Sequence, residues 1–282
     1  MDSLRTLSLA MSSPALEREY RRINDALQRT PGELPAFDPA RWSASALASA
    51  RSAWIERMSA EHRSFPVFSA LASQLSEAGA TFEAEAVMLR MATDEIRHAE
   101  LCGVVVSALG DEPSCAAVRE VTPLARHAGC SPEERALRNV IYTTCLSEMV
   151  AVARFVEALD AMEDPFLSEC TRRLLADEVL HGQFGFHYLE AWLPWLGQNA
   201  AVCDSIERYL RGALAVLERE LAGTSPQPWG VSDEERALGC PDPRRAREVF
   251  HTTLEGAVLP ALERYGIRAQ RAWRERRLPD AA

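Results

Sequence analysis

Apolar residues recur at spacings of three and four along most of the chain, and strict alternation is rare, so the pattern predicts helices and almost nothing else. A short helix is expected over about residues 14–28, followed by the loop "TPGELPAFDP". A long helix should run over about 40–77, with Pro66 offering a kink, and another over 80–109. Residues 110–132 carry Pro113, Pro123 and Gly129 and read as a long connection with at most one short helix. Further helices are expected over 133–162, 166–192 and 200–221; "GTSPQPWG" and "GCPDP" then bracket a loop before a last helix over 244–276. The expectation is one all-α domain spanning 1–282, with a core bundle at about 40–195 flanked by an N-terminal helix and C-terminal helices over 200–276.

Helices that pack in a bundle carry their buried residues on one seam, at alternating steps of three and four. One such row is Met88, Met91, Glu95, His98, Cys102, Val105, Leu109. Glu95 and His98 fall on this apolar stripe, whereas Arg97 and Glu100 point away from it. The other long helices give Trp54, Met58, Glu61, Phe65, Phe68, Ala72, Leu75; then Ile141, Cys145, Glu148, Val152, Phe155, Leu159; then Leu174, Glu178, His181, Gly185, Tyr188, Trp192. Each seam is interrupted near its middle by Glu or by Glu-x-x-His.

Burying an isolated carboxylate costs several kcal/mol, on the order of what a whole domain has to spare, and neighbouring carboxylates repel one another. Two divalent cations bring +4 against the four carboxylates of Glu61, Glu95, Glu148 and Glu178, and the neutral imidazoles of His98 and His181 complete the coordination. Oxygen and nitrogen ligands of this kind suit iron or manganese. Glu and His three residues apart share a helix face, so each pair can grip one ion.

At this point the sequence resembles the ferritin-like di-iron carboxylate superfamily. The ligand order Glu61, Glu95-x-x-His98, Glu148, Glu178-x-x-His181 matches the order along that superfamily's four core helices, and the break at 110–132 sits where its crossover connection lies. The resemblance covers about residues 45–195. "DEIRH" and "DEVLH" also place an aspartate directly before each ligand glutamate, as in the oxygenase and oxidase branch. By that resemblance Asp94 supports His181, Asp177 supports His98, and Arg97 pairs with a nearby aspartate, while Leu180 stands where the second motif would have its arginine. Many hydroxylases of the group carry a threonine one turn after the third ligand glutamate; Ala151 and Val152 stand there instead.

Several features have plainer readings. Glu248-x-x-His251 repeats the spacing, but its row, Arg244, Glu248, His251, Glu255, is polar throughout and reads as a solvated face. Glu56 lies off the aromatic seam and reads as a surface acid. His62, His127 and His187 have no partner pattern. Phe65, Phe68, Met91, Cys102, Cys145, Phe155 and Tyr188 could line a substrate pocket, although buried cysteine usually acts as a small hydrophobe and Tyr188 can equally fill the bundle.

Composition narrows the class. The chain has 282 residues, is 47% hydrophobic and 26% charged, and carries a formal charge of −10, which disfavours a nucleic-acid or anionic-membrane binder. All 31 basic residues are arginine, including the closing "RAQRAWRERR", which reads as a solvated or subunit-contacting helix. Seven cysteines lie scattered with no Cys-x-x-Cys pair, and the first fifteen residues make a poor signal peptide, so a cytoplasmic protein with reduced thiols is expected. No run approaches the roughly 20 apolar residues of a membrane span.

The resemblance implies an O2-dependent oxidase or oxygenase holding two Fe ions, with Mn/Fe or Mn/Mn as alternatives. It would draw electrons from an external donor and act on a small organic molecule by N-oxygenation, hydroxylation or desaturation. Two readings stand against it: a ferroxidase or peroxidase of the ferritin or rubrerythrin kind, and a non-enzymatic bundle with a polar core. A homodimer fits any of them.

Overall fold

The structure is a computed structural model that describes residues 5–8, 21, 25, 32–117, 124–222 and 230–277. Four long helices make the bundle: α1 (Ala44–Glu77), α2 (Phe82–Ala108), α3 and α4 (Pro165–Gln198). Helix α3 has three continuous parts, Pro132–Val140, a π-helical stretch Ile141–Glu148, and Met149–Ala161.

Their starts are written in the sequence as side-chain caps. Ser43, Thr81, Ser131 and Asp164 each accept a hydrogen bond from a first-turn backbone N–H, filling a need that every helix N-terminus has. Gly79 and Gly110, at φ +70° and +85°, end α1 and α2 in the left-handed conformation that glycine adopts without a Cβ clash. Pro66 lies inside α1 and leaves it unbroken.

All seven members of the Met88 to Leu109 row are buried, the charged ones included. Apolar packing in the bundle falls into two clusters. One gathers Phe68, Leu71 and Leu75 of α1 with Met88 and Met91 of α2 and Ile141 of α3; the other gathers Trp54 and Met58 with Cys102, Val105, Phe155 and Leu174. Glu61, Glu95, His98, Glu178 and His181 belong to neither and occupy the level between them. A charged layer therefore divides the hydrophobic interior.

The π-helical stretch widens α3 over the turns that end in Glu148, a distortion often found at functional sites. Gly185 of α4 packs against it: a Cβ there would come within 2.5 Å of Cys145 Sγ and 3.1 Å of Cys145 N, besides striking Thr144 Oγ1. Gly185→Ala should therefore destabilise the protein by about 1–3 kcal/mol through overpacking. Exposed Gly197, with nothing within 4 Å, should gain up to about 1 kcal/mol on the same change. Melting temperatures of the two variants moving in the same direction would contradict this packing.

The flanking helices are α5 (Ala200–Leu217, continuing as a π-helical Glu218–Ala222), α6 (Asp233–Ala237), α7 and α8 (Ala269–Arg274). Helix α7 runs from Pro243–Thr253 through π-helical Leu254–Val258 to Leu259–Glu263. Phe250, Leu254, Val258, Leu262 and Trp273 join the first apolar cluster. The arginine-rich end serves this docking: Arg268 binds Asp204 and buried Glu207, and Arg276 binds Glu218.

Four expectations need correction or limits. The last helix is not continuous over 244–276, because Gly266 at φ +77° turns the chain out before α8. Helix α4 extends past Trp192 and through Pro194 to Gln198, its last turn anchored by buried Leu196. The connection over 110–132 holds no helix among the described residues but a strand, β2 (Ser114–Ala117), paired antiparallel with β1 (Arg5–Ser8); a strand needs a partner, and this one lies over a hundred residues away, beyond any local pattern. The helix expected over 14–28 falls outside the described residues except for Arg21, which pairs with Glu100, and Asp25. No helix of the described residues is long and apolar enough to cross a membrane.

Candidate metal centre

Each of the four bundle helices contributes a carboxylate to the charged layer, and α2 and α4 add an imidazole each. Ligand-capable atoms of Glu61, Glu95, His98 and Glu178 lie within 4.8 Å of one another, as do those of Glu148, Glu178 and His181. Glu178 belongs to both groups. Its Oε1 is 3.0 Å from His98 Nδ1 and its Oε2 is 3.2 Å from His181 Nδ1. Glu95 Oε1 lies 3.1 Å from His181 Nδ1, and Glu61 Oε2 lies 3.5 Å from His98 Nδ1.

The opposite edges of the imidazoles face aspartates, crosswise between the motifs. His98 Nε2 is 3.5 Å from Asp177 Oδ2, and His181 Nε2 is 3.6 Å from Asp94 Oδ2. Both aspartates are buried, and two arginines neutralise them. Arg90 Nε donates to both oxygens of Asp94 at 2.8 Å. Arg97 Nη1 donates to Asp94 Oδ1 at 2.6 Å and to Asp177 Oδ2 at 3.4 Å. Arg97 thus turns off the seam, as its position requires, but into this network; its side chain is only 10% exposed. Arg90 escapes the sequence reading although the signal was present: it precedes Asp94 by four residues on one helix face.

This donor set fits a pair of cations. Both ring nitrogens of His98 and His181, with Glu95 Oε1 and Glu178 Oε2, are buried and make no hydrogen bond with the described residues, and for Nδ1 and the two oxygens an ion relieves that expensive condition. A metal-bound histidine usually gives its other N–H to a carboxylate, and Asp94 and Asp177 stand where that proton would go.

Burial and mutual charge shift the proton affinities of Glu95, His98, Glu148, Glu178 and His181. Burial, and then the charge of Glu178, push Glu95 up to about 8. The same causes, with Glu95 added, hold Glu148 well above the ordinary carboxylate range. Burial opposes charge on Glu178 also, but His181 and His98 outweigh it and keep that carboxylate well below its usual value. Burial alone would lower both imidazoles; their carboxylate neighbours raise them well above 6.5. Glu95 therefore holds its proton at neutral pH, the shifts of Glu148, His98 and His181 all favour their protonated forms, and coordination requires protons to leave. Ferrous or manganous ion should release protons on binding, with affinity falling as pH drops through about 8 and below. Anaerobic calorimetry in buffers of different ionisation enthalpy counts them; zero release would contradict the coordination.

The remaining expected site residues are dispersed. Phe68 sets its ring edge toward His181 at 5.8 Å between centroids. Met91, Cys102 and Cys145 are buried near the ligand-bearing turns, and Phe65 is half-buried. Phe155 meets Arg57, and Tyr188 packs between Phe184 and Trp192. Glu248 is exposed and bound to Arg245, His251 approaches Glu218 at 3.6 Å, and neither belongs to a metal-capable group among the described residues. Glu56 is exposed.

No protein-family model matches the sequence, and no curated protein matches it either. Among solved structures, the chain is similar to "Protein 19 with aldehyde deformylating oxidase activity" from Synechococcus, at 19% identity and TM-score 0.53, covering 85% of this chain and 98% of that one. The likeness extends over the flanking helices as well as the bundle. The chain has the ferritin-like all-helical fold, and at its centre lies a carboxylate and imidazole cluster that fits a dinuclear metal site.

Proposed function

We propose that this chain is a non-heme di-iron oxidase or oxygenase, with Mn/Fe or Mn/Mn as alternative pairs, using O2 to oxidise a small organic molecule. The observation that carries the reading is the position of Glu178, whose two oxygens each face a different imidazole, with an aspartate behind each ring. Glu61, Glu95, His98, Glu148, Glu178 and His181 would hold the ions. A reduced iron pair would supply electrons to O2 and oxidising equivalents to the substrate.

The protein's own part is to orient and to exclude water. Asp94 and Asp177 face the imidazole edges that leave Nδ1 toward the centre, and Arg90 and Arg97 pair with those aspartates where they lie buried. The two apolar clusters close the layer from either side and keep water from a reactive oxidant. The hydroxyls around Glu148 are engaged: Thr143, Thr144 and Ser147 donate to the carbonyls of Asn139, Val140 and Tyr142. With Ala151 and Val152 one turn on, hydroxyl-assisted proton delivery has no support, and N-oxygenation remains among the reactions the site suits. The Synechococcus protein's activity adds oxidation of an aldehyde to that range. An external electron donor, a cytoplasmic setting and a homodimer belong to the same reading.

The test uses anaerobically reduced, iron-loaded protein exposed to O2 with amines, acyl compounds and aldehydes. Substrate-dependent O2 uptake matched by organic product is expected. Iron oxidation or peroxide turnover with no organic product from any of them would transfer the assignment to the ferroxidase or peroxidase reading.

A further inference from the structure

We infer that Arg57 and Arg154 form an anion subsite beside the carboxylate and imidazole cluster, and that it takes the carboxylate of a small organic acid. The inference deepens the oxygenase reading and rests on it for calling that acid a substrate.

Arg57 lies on α1 one turn before Glu61. Its guanidinium carbon sits 4.3 Å from the centroid of the Trp54 ring and 5.3 Å from that of Phe155. Aromatic rings on a guanidinium stabilise it but leave its N–H donors unused. Nη1 of Arg57 is buried and donates no hydrogen bond to the described residues. Glu61, four residues on, is spaced to pair with it, yet turns to His98 Nδ1 at 3.5 Å.

Arg154, the residue before Phe155, brings a second cation. It gives Nη2 to the carbonyl of Leu221 at 2.9 Å. Burial first, and then the charge of Arg57, press its proton affinity below that of an ordinary arginine. The acid that opposes this is Glu157, which Arg245 approaches at 3.5 Å. Two guanidinium groups thus stand by the Phe155 turn, Arg154 with Glu157 as its opposing acid and Arg57 with a buried donor unused among the described residues, a costly arrangement that an anion corrects.

A guanidinium presents its donors along one plane edge and matches a carboxylate in bidentate fashion. Apolar rings against Arg57 favour a carboxylate with a carbon body over free inorganic phosphate. The geometry also points inward. Arg57 is four residues from Glu61 and Arg154 six from Glu148, about 6 and 9 Å along their helices. Buried Cys102, one turn past His98, belongs to the same apolar cluster as Trp54 and Phe155, the rings that flank Arg57. An acid held by the arginines would extend its carbon body toward the metal ligands.

The test compares octanoate, octanol and inorganic phosphate binding to the full chain by tryptophan fluorescence and calorimetry, with metal content measured in parallel. Octanoate should bind at least about tenfold more tightly than octanol, and phosphate more weakly than octanoate. Arg57→Gln and Arg154→Gln should each erase most of the preference for the acid, and Arg57→Lys should keep part of it. Should Arg57→Gln fail to fold by circular dichroism, Arg57→Lys and Arg154→Gln decide. Equal binding of octanoate and octanol, full preference in the glutamine variants, or tighter binding of phosphate would each overturn the subsite. A protein that binds no metal pair but keeps the acid preference supports the subsite and removes only the oxygenase reading.

Discussion

Glu178→Ala is expected to abolish binding at both metal positions together. The side chain is 2% exposed and stands between the imidazoles, with one oxygen 3.0 Å from His98 Nδ1 and the other 3.2 Å from His181 Nδ1. Among the described residues no other belongs to both metal-capable groups. Removing a supporting carboxylate behind a ligand usually costs about 10–100-fold in affinity, so removing a shared ligand should cost each ion more than about 100-fold. The alanine also withdraws the carboxylate that balances two imidazoles in the metal-free chain, so folding stability without metal should fall as well. Metal analysis and O2 uptake of the purified variant check both effects. Glu248→Ala, on the exposed repeat of the same spacing, should leave both unchanged. Loss of one ion with the other held at wild-type affinity would show that Glu178 does not bridge.

The second large effect is expected from Asp177→Asn. Asp177 faces Nε2 of His98 at 3.5 Å and lies within ion-pair reach of Arg97 and Arg90, at 3.4 and 3.7 Å. Asparagine keeps the shape but loses the charge that raises the basicity of the imidazole and answers the two arginines. Affinity for the ion on the His98 side should drop about 10–100-fold, or about 1.4–2.7 kcal/mol. The His181 side, supported by Asp94, should change less, and Asp94→Asn should reverse the asymmetry. Competition with a chelator of known affinity reads the two steps separately. Equal weakening of both ions in both variants would mean that the aspartates act through the arginine network as a whole and not through their own imidazoles.

Most of the centre was legible because burial leaves a periodic trace. Glu95 and His98 stand out since Met91 and Cys102, one turn either side, are apolar, and the same holds for Met58 and Phe65 around Glu61. Which aspartate faces which histidine came from family resemblance, since spacing along one helix says nothing about the partner across the bundle. Arg90 was accessible by its step of four from Asp94. The π-helical widening over the turns that end in Glu148 was not, because an inserted register leaves the residue types unchanged. The pairing of β1 with β2 depends on distant chain, and the continuation of α4 through Pro194 depends on the burial of Leu196, so local propensity misplaced both. Gly266 did signal the break before α8, but the apolar rhythm on either side masked it. Arg57 went unnoticed for a different reason: its significance lies in a buried donor without a partner among the described residues, and only the packed structure reveals that.

The central claim is that two cations occupy the level between the two apolar clusters. Anomalous diffraction recorded across the Fe and Mn edges, from crystals of metal-loaded protein, tests it most directly. Two peaks are predicted, one by Glu61 and His98 and one by Glu148 and His181, with Glu178 reaching toward both. A single peak, peaks elsewhere in the chain, or an undiminished pair in Glu178→Ala would contradict the account.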